Sequence, residues 1–389
     1  MGRRACFVVL LIALVAAIGP ARAARADDPR RWLLTGASSV PLSYWQGLTS
    51  DPSEERVFFA GVFEGLWQTT PLLRQTAGVP AAIPPEVKAA EGYNHIGDPT
   101  WNPAEAGRVL LPLECFPPGV GNTCATGSFG VADPGTLGFR YYVKLDPAEI
   151  PKAMWAETSP DGGLVWTSSG ADLLAYSSSD VSSFNAAPVA APIRAVRRLA
   201  GAVPPSGITG AVFRRGRLFL AGETGAHQIW SVDTASGQRR LEFETELCGE
   251  AEGLDVIPTL GGRLQWLIAP FDPGCELTFG PTGALLHLVR RTGRNRLRVR
   301  VRSVAGPIES LTATVRVTRR GRAVRGARVS FAGYRGRTAK NGVARVAVRL
   351  ELPGHFAALA RKGHRYGLSG LTTVGDAPAR SRIARNGAG

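Results

Sequence analysis

The sequence predicts an all-β protein, and three observations carry that prediction. Short apolar runs with alternating polar residues dominate the chain, and they end at Gly, Pro, Asp or Ser, as strands do at turns. Glycine and proline are abundant, with 47 and 28 residues, while long amphipathic helical patterns are scarce. Similar units recur about every 45–60 residues before the C-terminal quarter. Together these features favour a β-propeller of about five blades, or six, followed by a small β-sandwich.

The first 26 residues have the pattern of a secretory signal peptide. Arg3 and Arg4 give a positive start, an apolar run covers 6–18, and small residues allow cleavage after Ala23 or Ala26. The arginine pair also leaves the twin-arginine export route open. We therefore expect a secreted protein, extracellular or associated with the cell envelope. No later run reaches about 18 apolar residues, so we do not expect the mature chain to span a membrane.

Four cysteines follow the leader, and an even number in an exported protein predicts disulfide bonds. Of the three possible connectivities, we favour Cys115–Cys124, which closes a short loop, and Cys248–Cys275, which closes a longer one. A zinc site is the weaker alternative, because no pair has C-x2-C spacing and the chain has only five histidines.

The propeller prediction depends on five units that share one order of features. Each has a short strand with polar or small residues, a turn, an alternating apolar strand and then a third strand. The units are "WQGLTSDPSEERVFFAG" (45–61), "YNHIGDPTWNPAEAGRVLLPLE" (93–114), "WAETSPDGGLVWTSSG" (155–170), "SGITGAVFRRGRLFLAG" (206–222) and "EGLDVIPTLGGRLQWLIAP" (252–270). We predict that the strand near 32–35 completes the last blade, because an open ring would expose two sheet edges. A β-sandwich is the alternative fold for so many strands.

The net charge of +15 hides a strong asymmetry. Residues 290–389 contain 22 arginines and two lysines but three carboxylates, so this part carries +21 and the remainder −6. The change near 288–295 predicts a boundary between a propeller over 31–290 and a basic sandwich over 296–375, with a disordered tail over 376–389.

Several segments resemble known propellers. Around "EGYNHIGDPTW", "VLLPLECF" and "YYVKLDPAEIPKAMWAETSPDGGLVWTSSG" the chain resembles secreted bacterial propeller proteins of unassigned activity. More distantly, "AEGLDVIPTLGGRLQWL" is similar to blades of the SMP-30/gluconolactonase-like and NHL-like propellers. The lactonase resemblance implies a divalent metal in the central channel, held by Glu, Asn and Asp. The matching positions here are Gln46, Asn94, Glu157, Ser206 and Glu252, of which only two are acidic.

The first strand of each propeller blade lines the axis, and ligands bind at the channel mouth. We therefore expect acids of these strands to face a wet channel, because burying an unpaired carboxylate is costly. In the functional hypothesis, Glu157 and Glu252 hold a metal such as Ca²⁺ with help from Asn94. His95 then acts as a general base beside the catalytic Glu157 and Glu252. In the structural alternative, Glu250 and Glu252 only bind backbone amides and His95 is a satisfied structural residue.

Further candidates lie near the expected channel. The other acids are Glu91, Asp98, Glu250 and Asp255. We interpret Asp98 and Asp161 as turn residues, because each lies beside Pro or Gly. Aromatic residues near the inner strands could stack a flat ligand, but more often they fill gaps between blades. These aromatic residues are Trp45, Tyr93, Trp101 and Trp155.

The basic segment alternates apolar residues with arginine, which predicts half-buried strands with arginine outward. "GARVSFAG" followed by "TAKNGVARVAV" resembles Ig-like and carboxypeptidase-regulatory-like sandwiches, with Asn341-Gly342 as a hairpin turn. That resemblance implies a spacer or adhesion unit. We expect attraction to anionic cell-wall polymers or a glycan, with a plain solvated face as the alternative. We expect no specific nucleic-acid binding, because no recognition helix is predicted.

Two functional hypotheses follow. The first is a secreted, monomeric propeller that acts as a binding or scaffolding module, with its basic sandwich associated with the envelope. The alternative is a metal-assisted hydrolase at the channel mouth, a lactonase, esterase or glycoside hydrolase. The chain has enough acids for the latter, but no spacing singles out a catalytic pair.

Overall fold

The fold is almost entirely β-structure, as the alternating sequence pattern predicts. The structure is a computed structural model that describes residues 31–376 apart from 54, 104–106, 117–122, 183–190, 258–262 and 271–281. Its helices are short: α1 (Pro85–Glu91), α2 (Ser178–Ser182) and the 3-10 turns Leu42–Tyr44 and Ile308–Ser310. None of the helices in this described part is long and apolar enough to cross a membrane.

Four sheets follow each other along the chain and form the first four blades of a propeller. Blade 1 contains β2 (Gly47–Ser50), β3 (Val57–Ala60), β4 (Leu66–Thr69) and β5 (Gln75–Val79). Blade 2 contains β6 (His95–Ile96), β7 (Thr100–Asn102), β8 (Arg108–Glu114), β9 (Ser128–Ala132) and β10 (Phe139–Lys144). Blade 3 contains β11 (Glu157–Thr158), β12 (Leu164–Ser169), β13 (Asp172–Ser177) and β14 (Arg197–Leu199). Blade 4 contains β15 (Gly207–Arg214), β16 (Arg217–Glu223), β17 (His227–Val232) and β18 (Arg239–Thr245).

Blade 5 closes the ring with the first strand of the described chain. It contains β19 (Glu250–Ile257), β20 (Arg263–Ala269), β21 (Gly283–Arg290) and β1 (Trp32–Val40). β1 pairs antiparallel with β21 from Trp32 opposite Arg290 to Val40 opposite Gly283. The predicted closing strand is confirmed and is longer than expected. Among the described residues five blades are present, and the stretch between Trp101 and Met154, where a sixth blade could have lain, contributes strands to blade 2.

Apolar side chains hold neighbouring blades together around the ring. Each of five buried clusters contains residues of two successive blades, because neighbouring sheets pack face to face around the ring. One cluster unites Leu48 and Phe59 of blade 1 with Leu267 and Leu285 of blade 5. This contact between first and last blades is the geometric closure that a propeller requires.

The C-terminal strands form two further sheets around a separate buried cluster of Val, Ala, Leu and Phe. One sheet contains β22 (Arg294–Asn295), β26 (Arg328–Phe331), β27 (Tyr334–Arg337), β30 (Leu359–Lys362) and β31 (Arg365–Leu368). The other contains β23 (Arg298–Ala305), β24 (Leu311–Arg319), β25 (Arg322–Ala323) and β28 (Val343–Val348). The remaining strands, β29 (Gly354–Phe356) and β32 (Thr372–Val374), extend blade 5 beyond β1. β1 is therefore an interior strand that joins the propeller to the C-terminal region.

Two local expectations have mixed outcomes. The Cys115–Cys124 disulfide is confirmed. Cys248 is also disulfide-bonded, but Cys275, its expected partner, lies outside the described residues. Asn341-Gly342 lies in the expected turn, where the Gly342 amide donates to the Ala339 carbonyl at 3.0 Å, but the flanking strands form no hairpin, because β27 pairs with β26 while β28 pairs with β24 in the other sheet. The expected leader over 1–26 and, apart from Asp376, the expected tail over 376–389 also lie outside the described residues.

Candidate functional site at the propeller axis

Asp98 lies where the inner strands of the blades meet, and it is completely buried. Its Oδ1 accepts a hydrogen bond from the Leu48 amide of blade 1 at 2.9 Å. Its Oδ2 accepts from the Ala211 amide of blade 4 at 3.0 Å and from the Leu254 amide of blade 5 at 3.4 Å. The interpretation of Asp98 as a turn residue is wrong, since its partners are far away in the chain.

The main chain of Asp98 forms hydrogen bonds to blade 3, the blade that its side chain does not bond. Its amide donates to the Met154 carbonyl at 3.0 Å, and its carbonyl accepts from the Ala156 amide at 3.1 Å, immediately before β11 of blade 3. One residue of blade 2 therefore bonds directly to the other four. Burial raises the pKa of the Asp98 carboxyl well above its usual range, and the three amide donors oppose that shift.

Glycine makes this convergence possible at three positions, each directly before a residue whose amide binds Asp98. A Cβ on Gly47 would lie 2.5 Å from the Asp98 Cα, and one on Gly253 would lie 2.4 Å from its Oδ1. A Cβ on Gly210 would meet the Leu254 amide nitrogen at 2.6 Å. The recurring Gly-apolar pair in "QGL", "TGA" and "EGL" is the sequence signal for this axis, and it differs from the acidic positions expected to line a channel.

Glu252 lies on one side of the Asp98 layer, in a group of acids that also includes Glu114, Glu223 and Glu250. Its Oε2 accepts a hydrogen bond from Gln46 Nε2 at 2.7 Å. Burial, followed by repulsion from the neighbouring acids, raises the pKa of Glu252 well above its usual range. Glu252 is 2% exposed, so the expectation that it faces a wet channel is wrong.

Glu114 belongs to the same acidic group and is paired with His95 across the blade 2 ladder. Burial raises the pKa of Glu114 to about 7, although nearby Lys152 opposes the shift. Burial lowers the pKa of His95 to about 4, although its ring bonds the Val62 main chain. The imidazole of His95 is therefore neutral near pH 7 and a weak base, and sequence reasoning did not identify Glu114 as its cross-strand neighbour.

Two phenylalanines lie close to His95. Phe116 packs edge-on against the His95 ring at 5.0 Å and is 37% exposed, while Phe63, whose carbonyl accepts from the neighbouring Ile96 amide at 2.9 Å, is 68% exposed. Asn94 holds Phe116 in place, because its Oδ1 accepts from the Phe116 amide at 2.7 Å and its Nδ2 donates to the Phe116 carbonyl at 3.1 Å. Both polar atoms of the Asn94 side chain are thus engaged by backbone.

Glu157 lies on the opposite side of the Asp98 layer from Glu252. Its Oε1 accepts from the Phe213 amide at 2.6 Å, and Phe213 comes two residues after Ala211 of β15, whose amide bonds Asp98. Glu252 instead comes two residues before Leu254 of β19, whose amide also bonds Asp98. Its Oε2 accepts from the Thr100 hydroxyl at 2.8 Å. The structure therefore does not bring Asn94, Glu157 and Glu252 together. Across the described part of the chain, no three His, Cys, Asp or Glu side chains are grouped to hold a metal ion.

The remaining candidates have structural surroundings. Ser206 Oγ donates to Gln228 Oε1 at 2.8 Å, and Asp161 lies in a turn, where its Oδ1 accepts from the Gly163 amide. Asp255 accepts from the Ser50 hydroxyl at 2.9 Å. Three of the four aromatic candidates, Trp45, Tyr93 and Trp155, are buried in the core. The fourth, Trp101, stacks on Phe58 of blade 1.

Replacing Glu157 by glutamine should remove a pH-dependent part of the stability. Burial raises the pKa of Glu157 to about 8, and nearby Asp255 adds to the shift. A folded-state pKa above the unfolded value contributes stability at acidic pH that is lost as the pH rises through about 8. Glutamine can accept from the Phe213 amide and donate to the Thr100 hydroxyl at every pH.

Between about pH 5 and about pH 8 we expect the free energy of unfolding of the wild type to fall, relative to that of the Glu157→Gln variant, by on the order of a few kcal/mol. Urea unfolding of both proteins across this range measures the difference. If the free energies of unfolding of the two proteins changed in parallel with pH over the whole range, the assignment of a buried, protonated carboxyl at Glu157 would be contradicted.

Comparison with known proteins leaves the activity open. No protein-family model matches the chain, and no curated protein matches its sequence. Among solved structures, the chain is similar to a luciferin-regenerating enzyme, with 11% identity and a TM-score of 0.43 over 65% of this chain and 94% of that one. It is also similar to the glutaminyl cyclase of Myxococcus xanthus, with 11% identity and a TM-score of 0.40 over 67% and 97%. At this identity and TM-score neither likeness assigns a chemistry to this chain.

Proposed function

We propose that this protein is a secreted binding or scaffolding propeller whose basic C-terminal region associates with anionic polymers of the cell envelope. The observation that carries this proposal is a set of arginines placed directly opposite arginines in the C-terminal sheets. Like charges opposite each other destabilise a sheet, so a surface that keeps several such pairs is suited to an anionic partner. The opposed pairs are Arg294 with Arg365, Arg300 with Arg316, Arg319 with Arg322, and Arg328 with both Arg337 and Arg361.

A surface depression of about 790 Å³ supports the same proposal. Its lining is entirely basic and consists of Arg294, Arg296, Arg319, Arg320, His364 and Arg365. Envelope polymers that carry phosphate or carboxylate groups offer the complementary charge. The Cys115–Cys124 disulfide is compatible with the oxidising compartment that export would provide.

The alternative, a metal-assisted hydrolase in the channel, has weaker support. Asp98 and Glu157 are bound by main-chain amides, and Gln46 occupies one oxygen of Glu252. Glu114 and His95 are cross-strand neighbours, but the lowered pKa of His95 makes its imidazole a weak base, and a binding role needs no assumption about a metal or a reaction.

The proposal is tested with the full chain by removing one opposed arginine pair. The Arg300→Gln, Arg316→Gln double variant should reduce retention on cell-envelope preparations several-fold at low salt, and added salt should reduce retention of the wild type as well, because charge attraction between exposed groups is screened. Arg74→Gln with Arg215→Gln is the matched control, since it removes two exposed charges from the propeller. Equal retention of both double variants, or retention that salt leaves unchanged, would refute envelope association through this region.

A further inference from the structure

A second basic cleft lies between blade 5 and the C-terminal sheet, separate from the surface depression described above. Its volume is about 660 Å³, which is within the range of small-molecule sites. Five arginines line it, and the described residues of its lining include no Asp or Glu. We call this feature the arginine cleft, and its arginines are Arg263, Arg328, Arg335, Arg337 and Arg361.

Arg263 distinguishes this cleft from an ordinary charged surface. It comes from the propeller strand β20 and is only 6% exposed. Its Nη2 donates to the Ser330 hydroxyl on β26 at 3.1 Å, a neutral acceptor. Burial lowers the pKa of Arg263 to about 10, and repulsion from Arg335 adds to the shift. A buried guanidinium that meets further cations is costly unless an anion completes its surroundings.

The other arginines share one face of the C-terminal sheet. Arg328 and Ser330 are two residues apart on β26, so their side chains point to the same side. Arg337 lies opposite Arg328, and Arg335 lies opposite Ser330. Arg361 lies opposite Arg328 on the neighbouring strand β30. The register therefore gathers four guanidinium groups against the face that Arg263 approaches.

Arg361 also has a hydrogen-bonding group in the cleft that the described protein does not satisfy. One of its nitrogens, Nη2, donates to the Arg290 carbonyl at 2.9 Å, while its buried Nε has no hydrogen-bond partner within the described protein. Burial lowers the pKa of Arg361, and Arg328 adds to the shift. An unpartnered, buried N–H group in a cationic cleft is suited to an acceptor oxygen from a ligand.

We propose that the arginine cleft binds an anion with two or more phosphate groups, which Arg263 and Arg361 hold from opposite walls. The planar guanidinium fork matches the oxygens of a phosphate in two-point hydrogen bonding, which lysine cannot reproduce. Five cations in one small cleft are balanced better by several phosphate groups than by one. The proposal does not require envelope association, because the site depends on the buried propeller residue Arg263 as well as on arginines of the C-terminal sheet.

Calorimetric titration of the full chain with inorganic tripolyphosphate at low salt tests the proposal. We expect saturable binding at one site per chain and a loss of affinity of about tenfold or more in Arg263→Met and in Arg361→Met. Arg74→Met, which removes one exposed charge from blade 1, should change the affinity by less than about twofold. Arg263→Lys should fall between wild type and Arg263→Met, because it keeps the charge and loses the fork.

Folding of the variants is checked separately by thermal melting without phosphate. Arg263→Met removes a buried, uncompensated cation, so its melting temperature should be equal to or above that of the wild type. Arg337→Met provides the same affinity test if either of the other variants fails to fold. Added tripolyphosphate should raise the melting temperature of the wild type but not of Arg263→Met.

The ligand's source and chemistry are separated by comparing probes. Tripolyphosphate and long-chain polyphosphate at equal phosphate concentration distinguish a small phosphorylated ligand from a phosphate polymer, and either result supports the site. Citrate that binds as tightly as tripolyphosphate would overturn the assignment to phosphate. The absence of saturable binding, or equal weakening by Arg263→Met and Arg74→Met, would overturn the site itself.

Discussion

Replacing Asp98 by alanine should lower the free energy of unfolding by about 3–5 kcal/mol, the largest loss we expect from a single side chain in the propeller. The reason is that Asp98 accepts from three main-chain amides of three blades, and alanine would leave all three buried without a partner. Asparagine keeps the shape and one acceptor oxygen, so Asp98→Asn should be intermediate. Urea unfolding at a fixed pH measures the order of the three proteins.

The matched control is Asp161→Ala, which removes an aspartate from a surface turn, where its side chain binds only residues nearby in the chain. That variant should unfold close to the wild type. If Asp98→Ala and Asp161→Ala unfolded at the same urea concentration, Asp98 would not be the residue that unites the blades.

Removing β1 should abolish cooperative unfolding altogether. β1 is almost wholly buried, pairs with β21 along its length and binds β29 on its other side. Its loss would leave two unpaired sheet edges and would separate blade 5 from the strands that extend it. A chain that starts at residue 41 is therefore expected to aggregate or to unfold without a sharp transition.

A chain that starts at residue 30 is the control, because it is also shortened at its N-terminus but keeps β1. Near-ultraviolet circular dichroism during urea unfolding compares the two forms. A sharp transition at an unchanged urea concentration in the shorter form would show that blade 5 does not depend on β1.

The two predictions together describe how the ring is stabilised. Asp98 bonds the blades at the axis, and β1 holds the circumference closed. Main-chain amides bind Asp98 and Glu157, and Gln46 binds Glu252, so the hydrogen bonds of these three acids link parts of the propeller to each other. We therefore place the proposed binding sites in the basic C-terminal region and in the arginine cleft.

Local pattern allowed the strands to be predicted. Alternation of apolar and polar residues depends only on neighbours two positions apart, so "GRLQWLIAP" and "LTATVRV" predict strands without knowledge of their partners. The closing strand could also be anticipated, because a ring of sheets must eliminate its edges. The charge asymmetry likewise needs only composition, although the pairing of β29 and β32 with blade 5 does not follow from it.

The partners of individual polar side chains were decided by the tertiary structure alone. Asp98 before a proline looks like a turn residue, because nothing within a few positions shows that its acceptors will meet amides 50, 113 and 156 residues away. Arg263 similarly looks like the polar start of a strand, and only folding places it against Ser330, 67 residues later in the chain. Secondary structure is encoded by periodicity along the chain, whereas the environment of a charge is set by whichever distant segments pack around it.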